Sequence, residues 1–459
     1  MVCLHSLKNR FGGAALALAV LTVTATVRGD PSIIQPDVVQ WLNAAKQSRA
    51  DVWLVGDSVA NPLDAGFTAA AASHFGLAGT GVGTDFSTDN GHVTITPSYP
   101  LNSNGRDNTV AAVPPSRQDD VLSFGEPTTV GATPNNFPFG YFVNPGGNFD
   151  PQAAVDWHFW TASPAAGGSM RAEQLVPASQ QILQTSAPIA TQTPASGLQH
   201  SVVHFNATSG NAGQTMQGTL IDTSNTSILY SRLIKPGATG ATVTTWSYGG
   251  HGALDLYNDK YLAGPTSSAG RGEFLSAMTD GGSGKLMVVL EEGTNDAADT
   301  LATRPSVHGL LPGNSPAAFQ DNMASLIDGI KGDWATAGKN PADLSFLVLG
   351  MYEYGHRTAD EQAVHRQFTQ ELEDLAHARS DVSFVDLFSI APSWDQAFAM
   401  GYMADDVHPT ILGATVYSQG IFDQVVTPTP EPGAGLILLL AAPLVLARRR
   451  GGAVAASQA

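Results

Sequence analysis

The stretch Val52-Trp53-Leu54-Val55-Gly56-Asp57-Ser58 constrains the fold most. An unbroken apolar run stopped by a polar turn fits a strand buried on both faces of a parallel sheet, because a half-solvated strand would alternate polar and apolar residues. A helical segment over about 63–75 follows it, and a helical pattern over 36–50 precedes it. The same alternation returns downstream. Strands are expected at Val243–Trp246, Lys285–Leu290, Leu344–Gly350 and Val382–Leu387, and helices at Gly270–Met278, Pro316–Ala337, Thr358–Ala378 and about 411–425. In the longest of these helices Phe319, Met323, Leu326, Ile327 and Ile330 fall on one apolar stripe, which needs a sheet to cover it. Strands alternating with helices predict an α/β fold built on a doubly wound parallel sheet.

Between the two α/β stretches the texture changes. Residues 85–236 show short alternating segments, such as His92–Thr96, Val155–Trp160, His200–Phe205 and Ile228–Leu233, separated by clusters of Gly, Asn, Pro and Ser. That punctuation reads as an inserted β-rich, sandwich-like domain. The expected organisation is a leader at 1–28, a discontinuous α/β domain at 29–84 and 237–427, the β-rich insertion at 85–236, and a tail at 428–459. Phe137, Phe139, Tyr141, Phe142, Phe149, Trp157, Phe159 and Trp160 make the insertion aromatic-rich, as a sandwich core or a sugar-stacking face would be.

Polar residues stand at the ends of four α/β units: Ser58, the Gly249-Gly250 turn, Asn295 within Gly293-Thr294-Asn295-Asp296, and Asp405-Asp406-Val407-His408. In a parallel sheet such loops share one edge, where ligands bind. A serine hydroxyl needs a base to become nucleophilic, histidine has a suitable pKa, and a carboxylate fixes the imidazole tautomer. Amide donors can hold a developing oxyanion. Several neighbours have plainer readings. Asp57 supports its turn, Asp296 braces its loop, and Asp406 is solvated beside Asp405. His251 either lines the pocket or is exposed, and Tyr352, Glu353, Tyr354 and His356 are candidates for shaping it. His200 and His204 share a strand face, but two histidines without a third ligand make a weak zinc site.

These four blocks, in this order and on these strand ends, resemble those of the SGNH (GDSL-type) hydrolases over residues 48–84 and 240–426. The resemblance implies a flavodoxin-like sheet and an acyl-enzyme esterase needing no cofactor or metal. It implies Ser58 as nucleophile, His408 as base and Asp405 as its orienter. Ser58, Gly250 and Asn295 would form the oxyanion hole, with Gly249 the alternative to Gly250. The block-one Val59 stands where Leu is commoner, and about 190 residues separate Ser58 from the glycine turn.

The two ends carry export signals. Lys8 and Arg10 followed by an apolar run and small residues read as a secretory signal peptide. Cys3, the one cysteine, lies inside that leader, which excludes thiol and disulfide chemistry from the mature chain. Pro430-Glu431-Pro432, an apolar run and Arg448-Arg449-Arg450 resemble the PEP-CTERM sorting signal of Gram-negative bacteria. That implies an exosortase-type processing partner, transient membrane contact through a short transmembrane segment, and a cell-envelope or extracellular location. A formal net charge of −18, made more negative by loss of both basic ends, disfavours nucleic acid and anionic polymers as partners. The expected substrate is an ester, with acetylated polysaccharide favoured. A lipid or aryl esterase and a non-catalytic glycan-binding envelope protein are the alternatives.

Overall fold

The structure is a computed structural model. It describes residues 32–82, 93–94, 122–124, 137–143, 153–162, 169–176, 181–190, 199–208, 215–220, 226–247, 252–262, 268–300 and 315–426. The expected leader and tail lie outside them, and so do Phe149 and Gly249 to His251. Seventeen strands are described. They are β1 (Ser32–Ile33), β2 (Arg49–Gly56), β3 (Leu77–Val82), β4 (Val93–Thr94), β5 (Leu122–Phe124), β6 (Phe137–Val143), β7 (Val155–Ala162), β8 (Ser169–Val176) and β9 (Gln181–Thr185). Then come β10 (Ile189–Ala190), β11 (Gln199–Phe205), β12 (Thr215–Leu220), β13 (Thr226–Ile234), β14 (Gly240–Ser247), β15 (Leu286–Glu291), β16 (Leu344–Leu349) and β17 (Val382–Val385).

An eleven-stranded sheet runs β1-β17-β16-β15-β2-β14-β3-β13-β7-β11, with β5 also on β13. Pairing from β17 to β3 is parallel throughout. With β3 set aside, β2, β14, β15, β16 and β17 take the spatial order 2-1-3-4-5 of flavodoxin-like sheets. The order reverses between β2 and β15, so a crevice opens beyond their carboxyl ends. Every residue of β2, β14, β15, β16 and β17 is buried, which is why their sequences lack alternation.

Helices cover both faces. Pro36–Gln47, Ala60–Phe75 and Ile411–Val426 pack together on one side, and Ser268–Thr279, Pro316–Thr336 and Ala359–Ala378 on the other. Gly66 lets two of these helices approach closely: a Cβ there would stand 2.2 Å from the Ala414 carbonyl oxygen. Beneath β2, Trp53 stacks on Trp246 at 5.4 Å and meets Phe274 edge-on at 5.7 Å. The Thr358 side chain and Glu361 close a capping box, which fixes where that helix begins.

The β-rich stretch contributes to both sheets. Its strands β7, β11 and β13 continue the main sheet in antiparallel fashion, while β4, β6, β8, β9, β10 and β12 form a second sheet. A buried ion pair ties the continuation to the parallel half: Arg232 on β13 bonds Asp51 on β2 and gives a second N–H to the Met278 carbonyl at 2.7 Å. An unpaired charge at either position would be costly there.

Candidate active site

Three chain segments meet beyond the carboxyl ends of β2 and β15. The β2 strand ends at Gly56, the backbone turns, and Ser58 stands half-buried at the foot of helix Ala60–Phe75. The loop after β17 returns to it. His408 Nε2 lies 2.9 Å from Ser58 Oγ, across 350 residues of chain. On its other side His408 Nδ1 lies 2.9 Å from Asp405 Oδ2. Asp405 Oδ1 also accepts the backbone N–H groups of Val407 at 2.8 Å and His408 at 2.7 Å. The carboxylate therefore folds its own loop and aims the ring at Ser58. Partial burial pushes the Asp405 carboxyl upward, but those N–H donors and the His408 ring outweigh it and hold it below the usual carboxylate value.

Asn295 comes from the loop after β15, where a seven-residue helix, Thr294–Thr300, begins. Its Nδ2 donates to Asp57 Oδ2 at 3.0 Å. Asp57 Oδ1 accepts the Val59 N–H at 2.7 Å. The turn-supporting carboxylate beside Ser58 thus also holds the amide opposite it. The structure brings Ser58, Asn295, Asp405 and His408 to one rim. Gly250 lies outside the described residues.

The floor beneath the site is acidic and closed to water. Asp57 and Glu292 are fully buried and Glu291 is 3 % exposed. Burial raises Asp57 from an ordinary 3.8 to about 6, although the Val59 N–H, Glu291, His408 and Thr294 pull it back. Burial and the neighbouring Asp57 charge push Glu291 well above the carboxylate range. Sequence reasoning passed over Glu291 and Glu292, although two acidic residues closing a buried strand were the signal: one must face inward on each side. Trp394 was also missed. Its indole N–H donates to the Asp405 carbonyl at 3.4 Å, and its ring stacks on exposed Phe398 at 4.9 Å.

Other candidates take structural places. Asp296 accepts the Ala253 N–H at 3.0 Å and braces that loop. Tyr352 donates to the Val407 carbonyl at 2.5 Å, and Tyr354 pairs with Thr294 at 2.7 Å; both rings are buried under the site. His356 bonds Asp406 at 2.7 Å on the surface. His200 contacts His158 at 3.1 Å, whereas His204 pairs with Asp156 at 2.8 Å. Among the described residues no group of three or more His, Cys, Asp or Glu could hold a metal ion.

Residues 196–420 match the family described as GDSL-like Lipase/Acylhydrolase. The match spans 225 of the chain's 459 residues. The match takes in Asn295, Asp405 and His408 but begins downstream of Ser58, which the sheet carries to them. This match and the Ser58–His408–Asp405 geometry support a serine carboxylic ester hydrolase. Among solved structures the chain is similar to a peptidoglycan O-acetylesterase at 11% identity and a TM-score of 0.53, over 86% of this chain and 97% of that one. It is also similar to an acetylxylan esterase from Geobacillus stearothermophilus, at 14% identity, a TM-score of 0.29, and 41% and 73% coverage. A carbohydrate acetylesterase from Sinorhizobium meliloti matches at 15% identity, a TM-score of 0.29, and 40% and 78% coverage. The first likeness shows the shared fold. Among curated proteins nothing matches. No helix among the described residues is long and apolar enough to cross a membrane.

Proposed function

We propose that this hydrolase removes acetyl or other short acyl groups from carbohydrate through a Ser58 acyl-enzyme. The observation that carries the mechanism is the continuous relay from Asp405 through His408 to Ser58, with 2.9 Å at each junction. His408 Nε2 takes the Ser58 proton as Oγ attacks the ester carbonyl. The Ser58 N–H, the Asn295 amide and Gly250 receive the oxyanion. The tetrahedral intermediate then collapses with cleavage of the ester C–O bond, and His408 returns the proton to the departing sugar oxygen. Water repeats the sequence on the acyl-enzyme and frees the acid.

Three features support carbohydrate as the alcohol. A protein sharing this fold over most of its length is a peptidoglycan O-acetylesterase. The Trp394–Phe398 aromatic pair stands on the short helix preceding the loop that carries His408, where the apolar C–H face of a sugar ring could rest. The leader and the sorting tail belong with an envelope or extracellular location and with removal of the tail by an exosortase-type enzyme. The discontinuous domain arrangement is part of this reading, with residues 85–236 as the segment that adapts a hydrolase to a polymer.

The alternative, a lipid or aryl esterase, draws on exposed Phe398, Met400, Ile411 and Leu412 in the same segment. Comparing acetyl with octanoyl nitrophenyl esters, then acetylated glycans, separates the two. Preference for acetyl esters with release of acetate from glycan is expected. Faster turnover of octanoyl esters with inert glycans would overturn the carbohydrate assignment.

A further inference from the structure

The catalytic relay uses none of the buried acid behind it, and Glu291 is the group left without a task. Three observations place it. Its carboxyl lies beside that of Asp57, because Glu291 is paired with Gly56 across the sheet and its backbone carbonyl accepts the Asp57 N–H at 3.3 Å, and both side chains are shielded from water. Asp57 holds Asn295 Nδ2 at 3.0 Å and the Val59 N–H at 2.7 Å. Gly56 lets the strand approach closely enough for this: a Cβ there would stand 2.2 Å from the Glu291 carbonyl and 3.0 Å from Glu291 Oε2. We propose that Glu291 is a positioning residue for ester hydrolysis, its carboxyl O–H donating to the Asp57 carboxylate while Asp57 holds the Asn295 amide towards the oxyanion.

The physical argument is proton sharing. Two carboxyls in contact in a dry site cannot both ionise, so the pair keeps one proton. Asp57 faces the Val59 N–H, the Asn295 amide and Thr294 as donors, and the His408 ring nearby favours its charge. Glu291 faces Asp57 itself and the backbone N–H groups of Ala60 and Asp57, with Glu292 alongside. Asp57 therefore carries the charge and Glu291 the proton, and the carbonyl oxygen of a protonated acid can still accept from those N–H groups. A charged Asp57 grips the Asn295 amide more firmly than a neutral one, because charge-assisted bonds are roughly twice as strong. Tyr354 reaches the same cluster through Thr294, and Asp296 lies beyond Glu292.

This inference rests on Asn295 serving the oxyanion, so its test begins with Ser58→Ala. If that variant keeps full activity, the acyl-enzyme reading fails whatever Glu291 does. With Ser58→Ala inactive, the full-length Glu291→Gln and Glu291→Leu variants are assayed with acetyl nitrophenyl ester from about pH 5 to about pH 9. Glutamine keeps an N–H donor for Asp57, and kcat within about threefold of the parent is expected. Leucine removes the donor that holds the Asp57 pKa down. At neutral pH kcat should fall about tenfold with KM unchanged, the acid limb should move upward, and activity should return in alkali. A leucine profile that superimposes on the parent, or a glutamine variant that falls as far as leucine with no displaced limb, overturns the proposal. If the leucine variant does not fold, Asp57→Asn decides. It should cut kcat and lose the portion of the acid limb near pH 6 that Asp57 supplies; an unchanged limb overturns the proposal.

Discussion

Asp405 at the rim and Asp57 on the floor are the same functional group about the same Ser58, yet they are driven in opposite directions. Asp405 is 57 % exposed at its side chain and gathers two backbone N–H groups and an imidazole, so its charge is favoured. Asp57 is fully buried, so its charge is penalised and its pKa climbs to about 6. The difference teaches that ligation by N–H donors sets a carboxylate at a solvated edge, whereas desolvation sets one in the interior. One carboxylate is available to balance an imidazolium during turnover, and the other to grip an amide.

The largest break in this comparison is expected at the rim. Ser58→Ala or His408→Ala should lower kcat by about 10⁶-fold, with the circular dichroism spectrum unchanged. Asp405→Asn should cost about 10⁴-fold, since the wrong imidazole tautomer would face Ser58. Retained labelling of Ser58→Ala protein by a fluorophosphonate would sink the rim assignment outright. On the floor the effect is smaller. Asn295→Ala should lower kcat about 10²- to 10³-fold with little change in KM, because an oxyanion donor acts only in the transition state. A change confined to KM would move Asn295 from the oxyanion to ground-state binding.

Stability sharpens the contrast through opposite signs. A lowered folded pKa at Asp405 means a stabilising contribution that is complete above its ordinary 3.8 and is lost as pH falls through the folded value. A raised folded pKa at Asp57 means that the native state binds the extra proton between about 3.8 and about 6, so its contribution declines as pH rises through that window. Thermal melts should therefore show the stability of the parent relative to Asp57→Asn shrinking from pH 4 to pH 6. Relative to Asp405→Asn it should grow up to about pH 4 and then stay level. Equal pH dependence in the two variants would refute the contrast. The smallest effect is reserved for Asp406→Ala. Its partner His356 has a 73 % exposed side chain, and activity within about twofold of the parent is expected.

How much of this was legible beforehand differs between the two regions. Ser58, Asn295, Asp405 and His408 could be picked from the sequence because each follows a strand signal or a loop motif, and nucleophile, base and orienter need particular residue types. The strands at β2, β15, β16 and β17 were legible for the related reason that full burial demands unbroken apolar runs. The short helices Thr294–Thr300 and Trp394–Ala399 were not, since so few residues leave too little periodicity to detect. The destination of the β-rich stretch was equally hidden. Alternation marks β7, β11 and β13 as strands but says nothing of which sheet edge they join.

By itself, then, the sequence determined the chemical inventory and the alternation of buried strands with helices, because residue type and period are local properties. Only the tertiary structure decided that Arg232 would meet Asp51, that Glu291 would press against Asp57, and that Asp57 would reach Asn295. Each of those contacts joins residues far apart in the chain. Its energy depends on how completely water is excluded where they meet, a quantity that exists only once the layers have closed.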